Sequence, residues 1–85
     1  MSQTRYTIQL SHSALQDLQC IARPQASQIL RKIERLETGL HGNIKRLQNA
    51  DCAYRLRMGD YRVLFDVTGS TILIRRIGHR RDVYD

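Results

Sequence analysis

The chain opens on an alternation. In "RYTIQL" the apolar residues Tyr6, Ile8 and Leu10 fall at every second position, which predicts a half-buried strand. The period then lengthens. In "SHSALQDLQCIA", Leu15, Leu18 and Ala22 recur at helical spacing with Ile21 beside them. Ser11 or Ser13 supplies the N-cap, and Ser13 with Gln16 has capping-box spacing. Arg23-Pro24 breaks that helix, and Pro24 suits the first turn of the next. In "QASQILRKIERLETGL", Ile29, Ile33, Leu36 and Leu40 form an apolar stripe, the charged residues largely face away, and Gly39 is a stop signal. Two helices joined by a short break predict a hairpin with an apolar seam. "HGNIKRLQNADC" is polar, carries Gly, Asn and Asp, and predicts a loop. Three strand-like runs follow, at about 53–58, 61–67 and 71–77, separated by Gly59-Asp60 and Thr68-Gly69-Ser70. The order is strand, two helices, three-stranded meander. That predicts an α+β fold over residues 1–85, with the strand and helix hairpin packed on a mostly antiparallel sheet.

The first hairpin of the meander, "YRLRMGDYRVLFDV", carries an anomaly. A two-residue Gly59-Asp60 turn sets Met58 opposite Tyr61, Arg57 opposite Arg62, Leu56 opposite Val63 and Arg55 opposite Leu64. Tyr54, Leu56, Met58, Val63 and Phe65 then face the helices, and Arg55, Arg57 and Arg62 share the other face. Like charges directly opposite one another destabilise a strand pair. A single exposed Arg on a strand is ordinary, snorkelling over apolar neighbours. Three converging on one face predict a phosphate cradle for single-stranded nucleic acid.

Charge supports that picture. Lys and Arg number 14 against 8 Asp and Glu, a net charge of +6, with a sequence pI near 10.0. Such a balance is the footprint of a nucleic-acid binder or of a protein that docks an acidic partner. Most of the cations are Arg, which suits bidentate phosphate contacts. Hydrophobic residues make up 41% of the 85 positions, enough for one modest, mainly aliphatic core. The start lacks the apolar run of an export signal and nothing reaches transmembrane length, which predicts a cytoplasmic protein without membrane contact. Cys20 and Cys52 have no CxxC spacing and predict reduced, packed thiols; with three His they form no spaced metal set, so no metal and no cofactor is expected.

The C-terminal "RRIGHRRDVYD" adds Arg75, Arg76, His79, Arg80, Arg81 and Tyr84. Attack of a ribose 2′-OH on the adjacent phosphorus needs a group to orient or deprotonate the hydroxyl. It also needs cations on the phosphorane and an acid for the leaving 5′-oxygen. An imidazole, a phenol and several guanidiniums can serve those needs.

The segments "KRLQNADCAYRLRMGDYRVLFDV" and "ILIRRIGHRRDVYD" closely resemble the RelE branch of the RelE/ParE toxin superfamily. The resemblance covers nearly the whole chain and is most specific in its second half. It implies the RelE-like fold and the toxin of a type II toxin–antitoxin system. That toxin would be a metal-independent endoribonuclease, an mRNA interferase that enters the ribosomal A site and cuts mRNA there by 2′-OH attack. By position, Arg55 and Arg57 match basic residues that hold RNA phosphates, with Lys45 and Arg81 as further phosphate-binding candidates. Arg62 matches the arginine that stabilises the transition state, and Arg80 the arginine assigned to the leaving group. Tyr84 matches the tyrosine that stacks on the base and positions the nucleophile, and His79 is a candidate acid or base. Where the best-studied member has paired Lys, this chain has Arg55 and Arg57. A guanidinium is a poor base, so proton abstraction passes to Tyr84, His79 or water.

The resemblance also implies partners: a cognate RelB-like antitoxin, ribosomal RNA, and operator DNA reached indirectly through the antitoxin. An acidic, disordered segment that folds on the basic face would neutralise it. Two other functions compete. One is a ParE-like DNA gyrase poison, against which the intact "GHRRDVY" argues; the other is a non-catalytic RNA- or ribosome-binding module.

Overall fold

The first turn of the chain is set by one hydroxyl. Ser11 Oγ accepts from the Ala14 N–H (3.1 Å) and donates to the Arg75 carbonyl (2.9 Å), so it caps a helix and ties it to the last strand. The computed structural model describes residues 5–48 and 52–81. Strand β1 spans Thr7–Leu10, helix α1 His12–Gln19 and helix α2 Arg23–Glu34, which tightens into a 3₁₀ turn over Arg35–Thr38. Strands β2 Asn43–Arg46, β3 Tyr54–Met58, β4 Tyr61–Thr68 and β5 Thr71–His79 follow. They form one five-stranded sheet in the order β1-β5-β4-β3-β2. β1 runs parallel to β5 and the other pairs are antiparallel. This is the expected α+β arrangement, with one strand more than expected.

That strand is β2, which lies inside the segment read from sequence as a loop. It has a single apolar residue, Ile44, and pairs only with β3, so it carries no alternation to betray it. Short, charged strands are how sheet edges are kept from pairing with other chains.

Both helices lie on one face of the sheet. Ala14, Ile29, Ile33 and Leu36 pack with Leu56, Val63, Phe65, Ile72, Ile74 and Ile77, so the apolar seam runs between helices and sheet. On α1 the buried face is Ala14, with Leu18 and Ile21 packed beside it, whereas Leu15 is exposed. The small side chain of Ala14 lets the helix approach β5 closely. Helix α1 ends at Gln19, so Ala22 is the N-cap of α2 and not part of the α1 stripe. On α2 the stripe holds through Leu36; Leu40 is exposed, because Gly39, at φ +149°, turns the chain away.

A β-bulge resolves the spacing of the β5 isoleucines. Leu64 pairs with Arg76 and Phe65 with Ile74, leaving Arg75 as the extra residue. Ile72, Ile74 and Ile77 can therefore all face the core although the last two are three positions apart. Where β1 stops, Asp17 takes over its edge: Oδ2 accepts from the Ile77 N–H and from Arg76 Nε, each at 2.9 Å. That hydrogen bond, reinforced by the carboxylate's charge, raises the Arg76 guanidinium above its ordinary value. Among the described residues, no helix is long and apolar enough to cross a membrane.

Candidate functional site

The face of the sheet away from the helices is organised by the β3–β4 turn. Gly59 sits at φ +57°, the left-handed conformation a tight hairpin needs, and the register is the expected one, Met58↔Tyr61 through Tyr54↔Phe65. Two cross-strand rows result. One runs Lys45, Arg55, Leu64, Arg76; the next runs Asn43, Arg57, Arg62, Gly78. Lys45, expected in a loop, is thus directly opposite Arg55.

Hydrogen bonding brings the second row together. The Leu47 N–H bonds the Ala53 carbonyl, and ladder bonds alternate along a strand, so residues 53, 55 and 57 bond towards β2 and residues 54, 56 and 58 towards β4. Arg57 and Arg62 therefore meet as a non-hydrogen-bonded pair, the kind whose Cβ atoms lie closest, at about 4.5–5.5 Å. Their exposures differ. Arg57 is exposed, Arg55 half-buried, and Arg62 only 7% exposed. Arg62 Nη1 donates to the Gly59 carbonyl (2.8 Å) and the Tyr61 carbonyl (3.0 Å), so the turn holds the guanidinium in place.

Two of the described acidic side chains near this face are engaged as follows. Asp66 accepts from the Ala53 N–H (2.7 Å) and pairs with Arg75 (2.9 Å). Asp60 lies 3.9 Å from Arg80 Nε. Leu64, the cross-strand partner of Arg55, is buried with Cys52, and Leu47 packs against them in a small apolar cluster. Cys20, by contrast, is exposed at the end of α1. Among the described residues no three His, Cys, Asp or Glu side chains converge as metal ligands would.

Of the residues singled out from sequence, Lys45, Arg55, Arg57 and Arg62 share this face. Arg80 joins its margin: its N–H donates to the Asp60 carbonyl (2.7 Å), placing it on the turn that holds Arg62. Arg81 is exposed just beyond. His79 is not part of the face. It pairs with Tyr61, which packs on the core side, and its ring stands edge-on to Tyr61 at 5.7 Å. Tyr84 lies outside the described residues. Sequence reasoning missed the carbonyls of Gly59 and Tyr61 as anchors; the Gly-Asp turn was visible, but its use as an arginine acceptor leaves no mark on the residue pattern.

A face that sets guanidiniums opposite one another can hold a phosphate between them, and it costs stability to keep. Replacing Arg57 by Ala should therefore stabilise the fold, by about 0.2–1 kcal/mol in low salt. The gain should shrink towards zero in 1 M salt, where the Debye length is about 3 Å. Urea unfolding midpoints at the two salt concentrations check this, and an equal or negative shift would refute the repulsion.

Comparison with known proteins locates the chain. Residues 8–84 match the family model described as the ParE toxin of the type II toxin–antitoxin system parDE. The toxin RelE3 of Methanocaldococcus jannaschii is 42% identical over 43 residues, covering 51% of this chain and 49% of that protein. The aligned part spans about half of that relative. Among solved structures, the RelB–RelE antitoxin–toxin complex from Methanococcus jannaschii superposes with a TM-score of 0.75 at 28% identity, covering 91% of this chain and 95% of that one. The toxin–antitoxin complex RelBE2 from Mycobacterium tuberculosis gives a TM-score of 0.78 at 23% identity, covering 89% and 99%, and so supports the fold.

Proposed function

Since this chain belongs to the ParE toxin family, within the RelE/ParE superfamily and on its RelE-like branch, we propose that it is an mRNA interferase. In this reading it is the toxin of a type II toxin–antitoxin pair and cuts mRNA in the ribosomal A site, in the cytoplasm where ribosomes work. The observation that carries it is the Arg57–Arg62 pair, with Arg62 buried and fixed by turn carbonyls.

The chemistry follows from those positions. The ribose 2′-oxygen attacks the adjacent phosphorus and the bond to the 5′-oxygen breaks, leaving a 2′,3′-cyclic phosphate and a 5′-hydroxyl. Arg62 and Arg57 take the non-bridging oxygens, whose charge grows in the phosphorane. Arg55 and Lys45 hold the neighbouring phosphate along the first row, with Arg81 binding the RNA beyond the turn. Arg80 stabilises the departing 5′-oxygen, which takes a proton from water to become the hydroxyl. Tyr84 stacks on the base and orients the 2′-hydroxyl, whose proton leaves to Tyr84 or to water. A RelB-like antitoxin would silence the protein by covering Arg55, Arg57 or Arg62 with acidic side chains, or by displacing the tail. The solved relatives from Methanococcus jannaschii and Mycobacterium tuberculosis, both toxin–antitoxin complexes, support such a partner.

The test is cleavage of a defined message in a purified translation reaction, with and without ribosomes. Ribosome-dependent cuts inside A-site codons are expected. The description of the family model as ParE keeps one other reading, a gyrase poison. An intact message together with inhibited gyrase supercoiling would replace the interferase by that reading.

A further inference from the structure

His79 is a residue the proposed chemistry does not use, and its surroundings indicate what it does instead. The ladder between β4 and β5 ends at Tyr61↔His79, and the chain must leave the sheet there. Two hydrogen bonds govern how it leaves. The Arg80 N–H donates to the Asp60 carbonyl at 2.7 Å. The Arg81 N–H donates to His79 Nδ1 at 3.2 Å. The second is a side-chain acceptor reaching a backbone amide two residues on, the geometry by which Asn and Asp shape turns.

We propose that His79 is a positioning residue whose Nδ1, holding the Arg81 amide, latches the C-terminal tail against the β3–β4 turn. The latch keeps Arg80 beside the turn that carries Arg62. Its consequence for cleavage rests on the interferase reading above; the latch itself does not. The ring is steadied edge-on by Tyr61 and borders a cavity of about 240 Å³ lined also by Cys20, Ile21 and Ala22.

The acceptor role fixes the protonation state. Nδ1 must offer a lone pair, so the ring is neutral and carries its proton on Nε2. A protonated imidazole donates from both nitrogens and cannot accept the amide. Among the described residues, the charged and titratable groups around the ring are Tyr61 from β4, Asp17 from α1 and Cys20 at its end, Arg76 from β5, and Arg80 and Arg81 next in the chain. Asp17 is engaged by Arg76 and the Ile77 amide.

Amide hydrogen exchange on the full chain, corrected for intrinsic rates, tests the latch for wild type, His79→Ala and His79→Asn. Asn presents Oδ1 where His presents Nδ1. Arg81 protection should fall at least tenfold in His79→Ala, with Phe65 protection unchanged. In His79→Asn it should persist. Equal Arg81 protection in wild type and His79→Ala overturns the proposal. So does an Asn variant that keeps the latch but cleaves no better than His79→Ala, because the imidazole would then be acting chemically. If the wild type cuts no message at all, the interferase reading fails and the exchange data still decide the latch.

Discussion

Arg62→Ala is expected to lose about 100- to 1,000-fold in single-turnover cleavage on ribosomes, the loss typical of removing one preorganised donor from a developing oxyanion. The size follows from placement. Arg62 is nearly buried, and the Gly59 and Tyr61 carbonyls already hold Nη1 in position, so little reorganisation is needed when the phosphorane forms. In the interferase reading Arg57 shares that phosphate from an exposed position, and it should matter less. The substitution also removes the donor to two carbonyls, at a cost of about 1–3 kcal/mol of stability. A urea midpoint for the variant separates that cost from the catalytic one. Arg62→Lys keeps a point charge but loses the planar fork, and should fall between Ala and wild type. Cleavage by Arg62→Ala within about threefold of wild type, with the fold intact, would remove this residue from the mechanism.

Much of that face is legible in the sequence alone. The two-residue turn at Gly59-Asp60 determines the hairpin register, and a fixed register assigns every side chain to a face. Alternation alone therefore puts Arg55, Arg57 and Arg62 on one face, and the register agrees. Where the pattern was weaker, so was the reading. β2 offers one apolar residue in four and gives no period to count. In the segment whose periodicity predicts the first helix, the apolar residues 14, 15, 18, 21 and 22 permit two stripes. Periodicity favoured the larger Leu15, whereas close approach to β5 selected Ala14. The β5 bulge hides in the three-residue step from Ile74 to Ile77, which strict alternation forbids. Without it the face of every later residue is undefined, which is why His79 could be grouped with the arginines although its ring lies on the core side.

The scaffold makes a second, separable prediction. Phe65 is the chain's one Phe, no Trp is present, and it is fully buried in the centre of the sheet. Its ring stacks on Tyr54 at 5.4 Å with 14° between planes, and its strand neighbours are Tyr54 and Ile74. Phe65→Ala should cost about 3–5 kcal/mol, from lost transfer energy and the cavity left behind. A domain of 85 residues has roughly 4–13 kcal/mol in all. At about 4–8 °C per kcal/mol for a domain this small, the melting temperature should drop by more than about 12 °C. Thermal melts followed by circular dichroism check it, and a drop of only a few degrees would show that the core closes over the gap. A bound antitoxin at 100 to 1,000 times its Kd would return about 2.7–4.1 kcal/mol, so the variant should fold in the complex while failing alone. The two variants divide the molecule. Arg62→Ala should still melt as a folded protein and cut poorly, whereas Phe65→Ala should lose cutting only as far as it loses the fold.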